Sequence, residues 1–132
     1  MKRNHGFTLV ELAVVIVIIG VLAAFGVPRF RQAVERSKAG EAFNYLSAVR
    51  SAQERYSNRE GQYATLDTDL DINFPAPKYF SLGTISSNES FWAETLYRTG
   101  ASGGYGKYTV IFTETGYSTT SNIPVDINPM ST

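Results

Sequence analysis

An apolar run from Phe7 to Val27, with Glu11 as its only charged residue, constrains this chain more than any other feature in it. At roughly 1.5 Å per residue, a helix over this stretch is long enough to cross a bilayer. A lone carboxylate near the end of such a segment costs on the order of a few kcal/mol, which marks Glu11 as a functional position in want of a partner. Lys2 and Arg3 precede the run. A cut between Gly6 and Phe7 would create an α-amine four residues before Glu11, and a second copy of the helix could bring such an amine to that carboxylate.

Two plainer readings explain less. A secretory signal peptide shares the basic start and apolar core, and Ala23-Ala24-Phe25-Gly26 offers small residues for cleavage, but its core would be too long and would hold Glu11 for no purpose. A simple anchor accounts for the length and leaves both the Gly6-Phe7 junction and the acid unexplained. Charge does not settle the orientation, because Lys2 and Arg3 are balanced by Arg29, Arg31, Arg36 and Lys38 on the other flank.

The stretch Gly6-Phe7-Thr8-Leu9-Val10-Glu11, the apolar helix with Gly20, Pro28 just past its end and the polar helical segment beyond resemble the type IV pilins and related pseudopilins. The close likeness covers about the first third of the chain; a looser one extends to Ala52-Gln53-Glu54-Arg55-Tyr56, Gly61-Gln62-Tyr63 and Leu70-Asp71-Ile72-Asn73-Phe74-Pro75. The resemblance implies a leader, residues 1–6, removed after Gly6 by prepilin peptidase, N-methylation of Phe7, and Phe7 with Glu11 as the subunit-assembly pair. It further implies a transmembrane and filament-core helix over 7–28 and a globular head over 29–132, the α+β ladle fold of a long helix on a small antiparallel sheet. The implied precursor sits in the inner membrane, single-pass with its head exported, among lipid and the pilus assembly machinery. Its final partner is itself, in a helical homopolymer outside the cell that serves motility, adhesion, DNA uptake or secretion. A pseudopilin of a type II secretion system is the alternative.

Beyond the apolar run about a hundred residues remain, enough for one small core. Formal charge is balanced, so there is no global drive toward nucleic acid. Cysteine is absent, a departure from the many type IV pilins whose carboxy-terminal region is closed by a disulfide; packing must hold that region here. From Arg29 to about Asn58, Ala42, Tyr45, Leu46, Val49, Ala52 and Tyr56 draw one apolar helical stripe, with Glu35, Lys38, Glu41, Arg50 and Glu54 opposite. Gly61 is the expected stop. Pro28 removes one helical hydrogen bond, so a kink or local opening is expected, and Gly20 and Gly26 soften the same stretch.

Strands are expected at about Tyr79–Ile85, Phe91–Arg98 and Tyr108–Thr113, with a glycine-rich connection over 100–106. Alternation places Trp92 and Leu96 on one face, and Tyr108, Val110 and Phe112 on one face of the neighbouring strand. From Gly116 onward the chain reads as either an ordered loop or a frayed end.

The only histidine, His5, lies in the implied leader, so Ser-His and Cys-His nucleophile pairs and the usual zinc sites have no members in the remainder. No enzyme activity, metal or cofactor is expected. Asp67, Asp69 and Asp71 resemble the start of a calcium loop, but Ile72 stands where an EF-hand needs glycine and Lys78 where it needs a bidentate acid; a solvated turn with capping aspartates is the expectation. Arg50, Arg55 and Arg59 leave room for nucleic acid as a partner, which nothing else supports, and a solvated face is expected instead. The tyrosines are expected mostly in core and interface packing.

Overall fold

The computed structural model describes residues 1–100 and 104–131. A single long helix, α1 (Leu9–Glu60), leads through a 3-10 turn (Asp67–Asp69) to five strands: β1 (Phe80–Leu82), β2 (Ser86–Ser87), β3 (Trp92–Arg98), β4 (Thr109–Thr113) and β5 (Gly116–Tyr117). The 52 residues of α1 make a rod about 78 Å long. Gly61 closes it with φ 77°, the left-handed conformation that costs glycine least. α1 continues through Pro28, so the expected local opening does not interrupt it; the missing N–H removes one bond while the flanking turns keep theirs.

The two halves of the helix meet different surroundings. Every residue from 1 to 31 is exposed, and the first buried one is Glu35. From there Ala39, Ala42, Tyr45, Leu46, Val49 and Ala52 are buried, with Tyr56 packed against them; from Ala42 onward this is the stripe the periodicity predicts, and Ala39 extends it. Glu35, expected on the solvated face, is a correction. It sits on the first turn that the sheet covers, where Arg98 from β3 meets it.

The antiparallel sheet runs β1-β3-β4-β5, with β2 also paired to β3. The single strand expected at Tyr79–Ile85 is divided. Leu82 pairs with Leu96 and Ser86 with Ala93, so residues 83–85 face only Glu94 and Thr95. That extra residue is a β-bulge. Gly83 sits in it, donating its N–H to the Thr95 carbonyl at 2.8 Å, and a Cβ there would lie 2.5 Å from the same oxygen. Gly83→Ala is therefore expected to destabilise the head by about 1–3 kcal/mol, because backbone must move to admit the methyl group. Denaturant unfolding checks this, and an unchanged midpoint would show that the bulge is slack.

On the inner face Trp92 and Leu96 join Tyr108, Val110 and Phe112 over the helix stripe, as alternation predicts. Phe43 adds edge contact to Phe112 at 5.7 Å and stacks on Tyr117 at 5.4 Å. The glycine-rich connection between β3 and β4 falls across residues 101–103, outside those described. Gly116, φ 110°, lets the chain reverse after β4 so that β5 pairs back, Phe112 to Tyr117.

The tail beyond β5 is the ordered loop of the two alternatives. Ile123 and Ile127 enter the core, Tyr105 Oη donates to Asp126 Oδ2 at 2.5 Å, and Gln32 Nε2 on α1 donates to the Asp126 carbonyl at 3.1 Å. Apolar burial and hydrogen bonds thus hold a region that contains no disulfide.

Candidate functional site

The outstanding surface of this chain is the bare half of α1. Its most apolar 18-residue window has a mean hydropathy of 2.8 and none of it is buried. Phe7, Leu9, Val10, Ile16, Leu22, Phe25 and Phe30 all stand more than 60 % exposed. An apolar surface this long exceeds the few hundred Å² that a soluble monomer tolerates, so it requires lipid or other protein around it.

Glu11 is set into the start of this surface by its own neighbours. Thr8 is the N-cap, with extended backbone at ψ 156°. The Glu11 N–H donates to Thr8 Oγ1 at 3.2 Å, and the Thr8 N–H donates to Glu11 Oε2 at 3.1 Å. This is a reciprocal capping box, and it satisfies two N–H groups that a helix start would otherwise leave unpaired. It also puts the carboxylate at the positive end of the helix dipole. The sequence signal was available: Thr8-Leu9-Val10-Glu11 has the Thr-x-x-Glu spacing of such a box immediately before an apolar run.

Gly6, Phe7 and Glu11 thus lie together at the exposed tip. A Cβ at Gly6 or Gly20 meets nothing within 4 Å. Whatever need there is for glycine at those two positions therefore lies outside this chain's own packing.

The acidic turn is solvated at Asp69 and Asp71, as expected, but not fully at Asp67. Asp71 is held by Arg55 through a bidentate pair, Nε to Oδ2 at 3.0 Å and Nη2 to Oδ1 at 3.0 Å. That hydrogen bonding holds the Asp71 carboxyl below its ordinary range. Asp67 turns inward, and burial pushes its carboxyl up. Among the described residues no group of three or more acids, histidines or cysteines is arranged to hold a metal. The arginine strip is largely engaged: Arg55 by Asp71, and Arg50 Nε by the Glu114 carbonyl at 3.2 Å. Of the eight tyrosines, Tyr45 and Tyr108 are buried and four more pack on the core, leaving Tyr79 and Tyr97 exposed.

Among the buried polar groups that escaped the sequence reading, two involve charged side chains. Arg98 Nε donates to Glu35 Oε1 at 2.7 Å, its Nη2 to Oε2 at 3.4 Å, and its Nη1 to the carbonyls of Tyr79 and Thr99. Tyr108 Oη donates to the same Glu35 Oε1 at 3.0 Å. Burial, then this bond, raises the Tyr108 hydroxyl. The cluster joins helix, β3 and β4 at the margin where the bare helix begins, and a buried pair so fully hydrogen-bonded fixes register more than it adds net stability. The second group is Glu94, whose side chain is fully buried. Period-two alternation puts Glu94 and Arg98 on the face of Trp92 and Leu96, so the signal was present in β3 itself.

Comparison with known proteins agrees with this geometry. The family described as the prokaryotic N-terminal methylation motif matches residues 1–27. The chain is 40 % identical over 68 residues to the type IV major pilin protein PilA of Myxococcus xanthus, covering 52 % of this chain and 31 % of that protein. It is 41 % identical over 79 residues to a fimbrial protein of Pseudomonas aeruginosa, 56 % of this chain and 51 % of that one. With the type II secretion system core protein G of Klebsiella pneumoniae it shares 36 % identity over 77 residues, 58 % of this chain and 55 % of the relative. The chain thus spans about a third to just over half the length of these curated relatives. Its first 27 residues carry the methylation motif, and over just over half of its length the chain is similar both to type IV pilins and to a type II secretion core protein.

Proposed function

We propose that this chain is a structural subunit of a type IV pilus. The observation that carries the proposal is the bare apolar half of α1, headed by a single acid and exposed from end to end. Such a surface has two environments available to it: lipid before assembly, and a bundle of identical helices afterwards. The reading has the leader cut after Gly6 by prepilin peptidase, Phe7 methylated on its nitrogen, and the precursor held in the inner membrane with its head exported. The pilus assembly machinery then moves it from lipid into a surface filament. Glu11 meets the Phe7 amine of a neighbour, and Gly20 with Pro28 forms the soft stretch that adapts to close helix packing. The role is mechanical, with no catalysis.

The type II secretion pseudopilin remains the second reading, because core protein G aligns over a share of this chain similar to that of the pilins. Filaments sheared from cells separate the two. Abundant long fibres of this chain support the pilus subunit, whereas short fibres, or fibres only on overexpression, support the pseudopilin. Intact-mass analysis of the same material is expected to give an amino terminus at Phe7 carrying one methyl group. A start at Met1 or near Phe25 would overturn the processing scheme. Gly6→Leu is expected to accumulate as uncut precursor, since its own chain leaves room for a side chain and only a peptidase that approaches the backbone closely would reject one.

A further inference from the structure

Glu94 is the one carboxylate in the sheet that faces the helix side with nothing donated to it. It is fully buried on β3, opposite Phe112 of β4. Neither of its oxygens has a hydrogen-bond donor, and Asp67 Oδ1, from the turn after α1, is likewise buried without one. Burial, then the charge of Asp67, then hydrogen bonding to the Asp67 carboxyl pushes Glu94 up to about 8. Tyr45 is the titratable group that α1 turns toward both of them, its hydroxyl raised to about 12 by burial and by the two acids. β4 contributes the uncharged Phe112. Among the described residues the two ion pairs, Arg55–Asp71 and Arg98–Glu35, are spent elsewhere.

Two ionised carboxylates here repel each other and leave three buried oxygens without a donor. One proton removes both problems, because a protonated Glu94 becomes a donor to Asp67. We infer that Glu94 and Asp67 share a single proton, and that this proton latches the loop between helix and sheet onto β3 and frees the loop when it is withdrawn. The loop is otherwise held by Gln53, which exchanges hydrogen bonds with both backbone groups of Ala64 at 2.8 and 3.0 Å, by buried Leu70 and by the Arg55–Asp71 pair. Asp67 lies between these fixed points. Deprotonation therefore loosens a bounded segment, about residues 65–69, and not the whole head.

The sign follows from proton linkage. The closed state binds a proton more tightly than an exposed carboxyl does, so closing is favoured at low pH and weakens as pH rises toward 8. Hydrogen exchange of the full chain in detergent micelles, corrected for intrinsic rates, tests this. Protection of 65–69 is expected to fall by up to about tenfold per pH unit between pH 5 and 8 and to level off above that, while the middle of β3 stays protected. Trp92, the only tryptophan and two residues from Glu94 on the same face, is expected to change its fluorescence with a midpoint near 8.

Glu94→Gln carries a permanent donor and is expected to abolish both pH dependences. Asp67→Asn gives an ionised Glu94 a donor and is expected to move the Trp92 midpoint down by at least a full pH unit. Three outcomes would overturn the latch: no transition between pH 5 and 9, a transition that survives in Glu94→Gln, or restored protection at pH 9 on adding calcium to the parent but not to Glu94→Gln. The last would mean that the pair takes a cation in place of the proton.

Discussion

A strain whose only copy of this subunit carries Glu11→Val is expected to hold the processed protein stably in its membrane and to shed few or no fibres. The reasoning starts from charge in a dry place. At about 4 Å and an effective dielectric near 20, a carboxylate and an ammonium attract by roughly 4 kcal/mol before desolvation is counted against them. In the proposed filament the Phe7 amine of one subunit supplies that ammonium, so the acid that is unfavourable in lipid becomes favourable at the growing base. Valine removes the penalty in the membrane and the attraction in the filament together, so cleavage at Gly6 proceeds while assembly fails.

The capping box adds a control. Valine also deprives the Thr8 N–H of its acceptor, which by itself weakens a helix start by about 0.5–2 kcal/mol. Glu11→Gln keeps an acceptor at that position and lacks the charge. If charge is what recruits subunits, Gln assembles as poorly as Val and Asp falls between Val and the parent, its reach being shorter by one methylene. Normal fibre yield from Glu11→Gln, scored by shearing and immunoblot, would assign the requirement to the helix cap instead. Normal yield from Glu11→Val would remove Glu11 from assembly altogether.

Trp92→Ala is expected to cost the head about 3–5 kcal/mol. Trp92 is fully buried on β3, the largest of the fully buried side chains. Removing the indole opens a cavity between helix and sheet that Leu46, Val49 and Leu96, all without exposed surface, are too well fixed to fill. The soluble fragment from Arg29 onward is the material to unfold, followed by circular dichroism because the variant has no tryptophan left to report. A loss below 1 kcal/mol would mean that the surrounding core collapses onto the site. A reducing agent should leave either form unchanged, since there is no cysteine in the chain.

Length and periodicity account for the features that are legible along the chain. The bare helix follows from an unbroken apolar run, the buried stripe of α1 from spacings of three and four, and the inner face of β3 and β4 from alternation. The Gly61 stop is equally local. Even the capping box is written in four consecutive residues, Thr8 to Glu11. Each of these is a property of neighbours along the chain, and neighbours are legible without a fold.

Which polar groups meet is a matter of how distant segments pack. Glu35 and Arg98 are 63 residues apart, so helical periodicity alone placed Glu35 on the solvated face; it is buried because the sheet reaches about two turns further along α1 than the predicted apolar stripe extends. The bulge at Gly83 arises from register with β3, and that partner is not visible within the run Tyr79–Ile85. The tail reads as loop or frayed end until Gln32 and Tyr105 are brought to Asp126. Asp67 belongs to a polar turn by composition, yet its Oδ1 is buried once the chain folds. A periodic pattern tells a side chain which way to face, but a hydrogen bond or ion pair also needs its partner's place, and that is set by how distant segments pack.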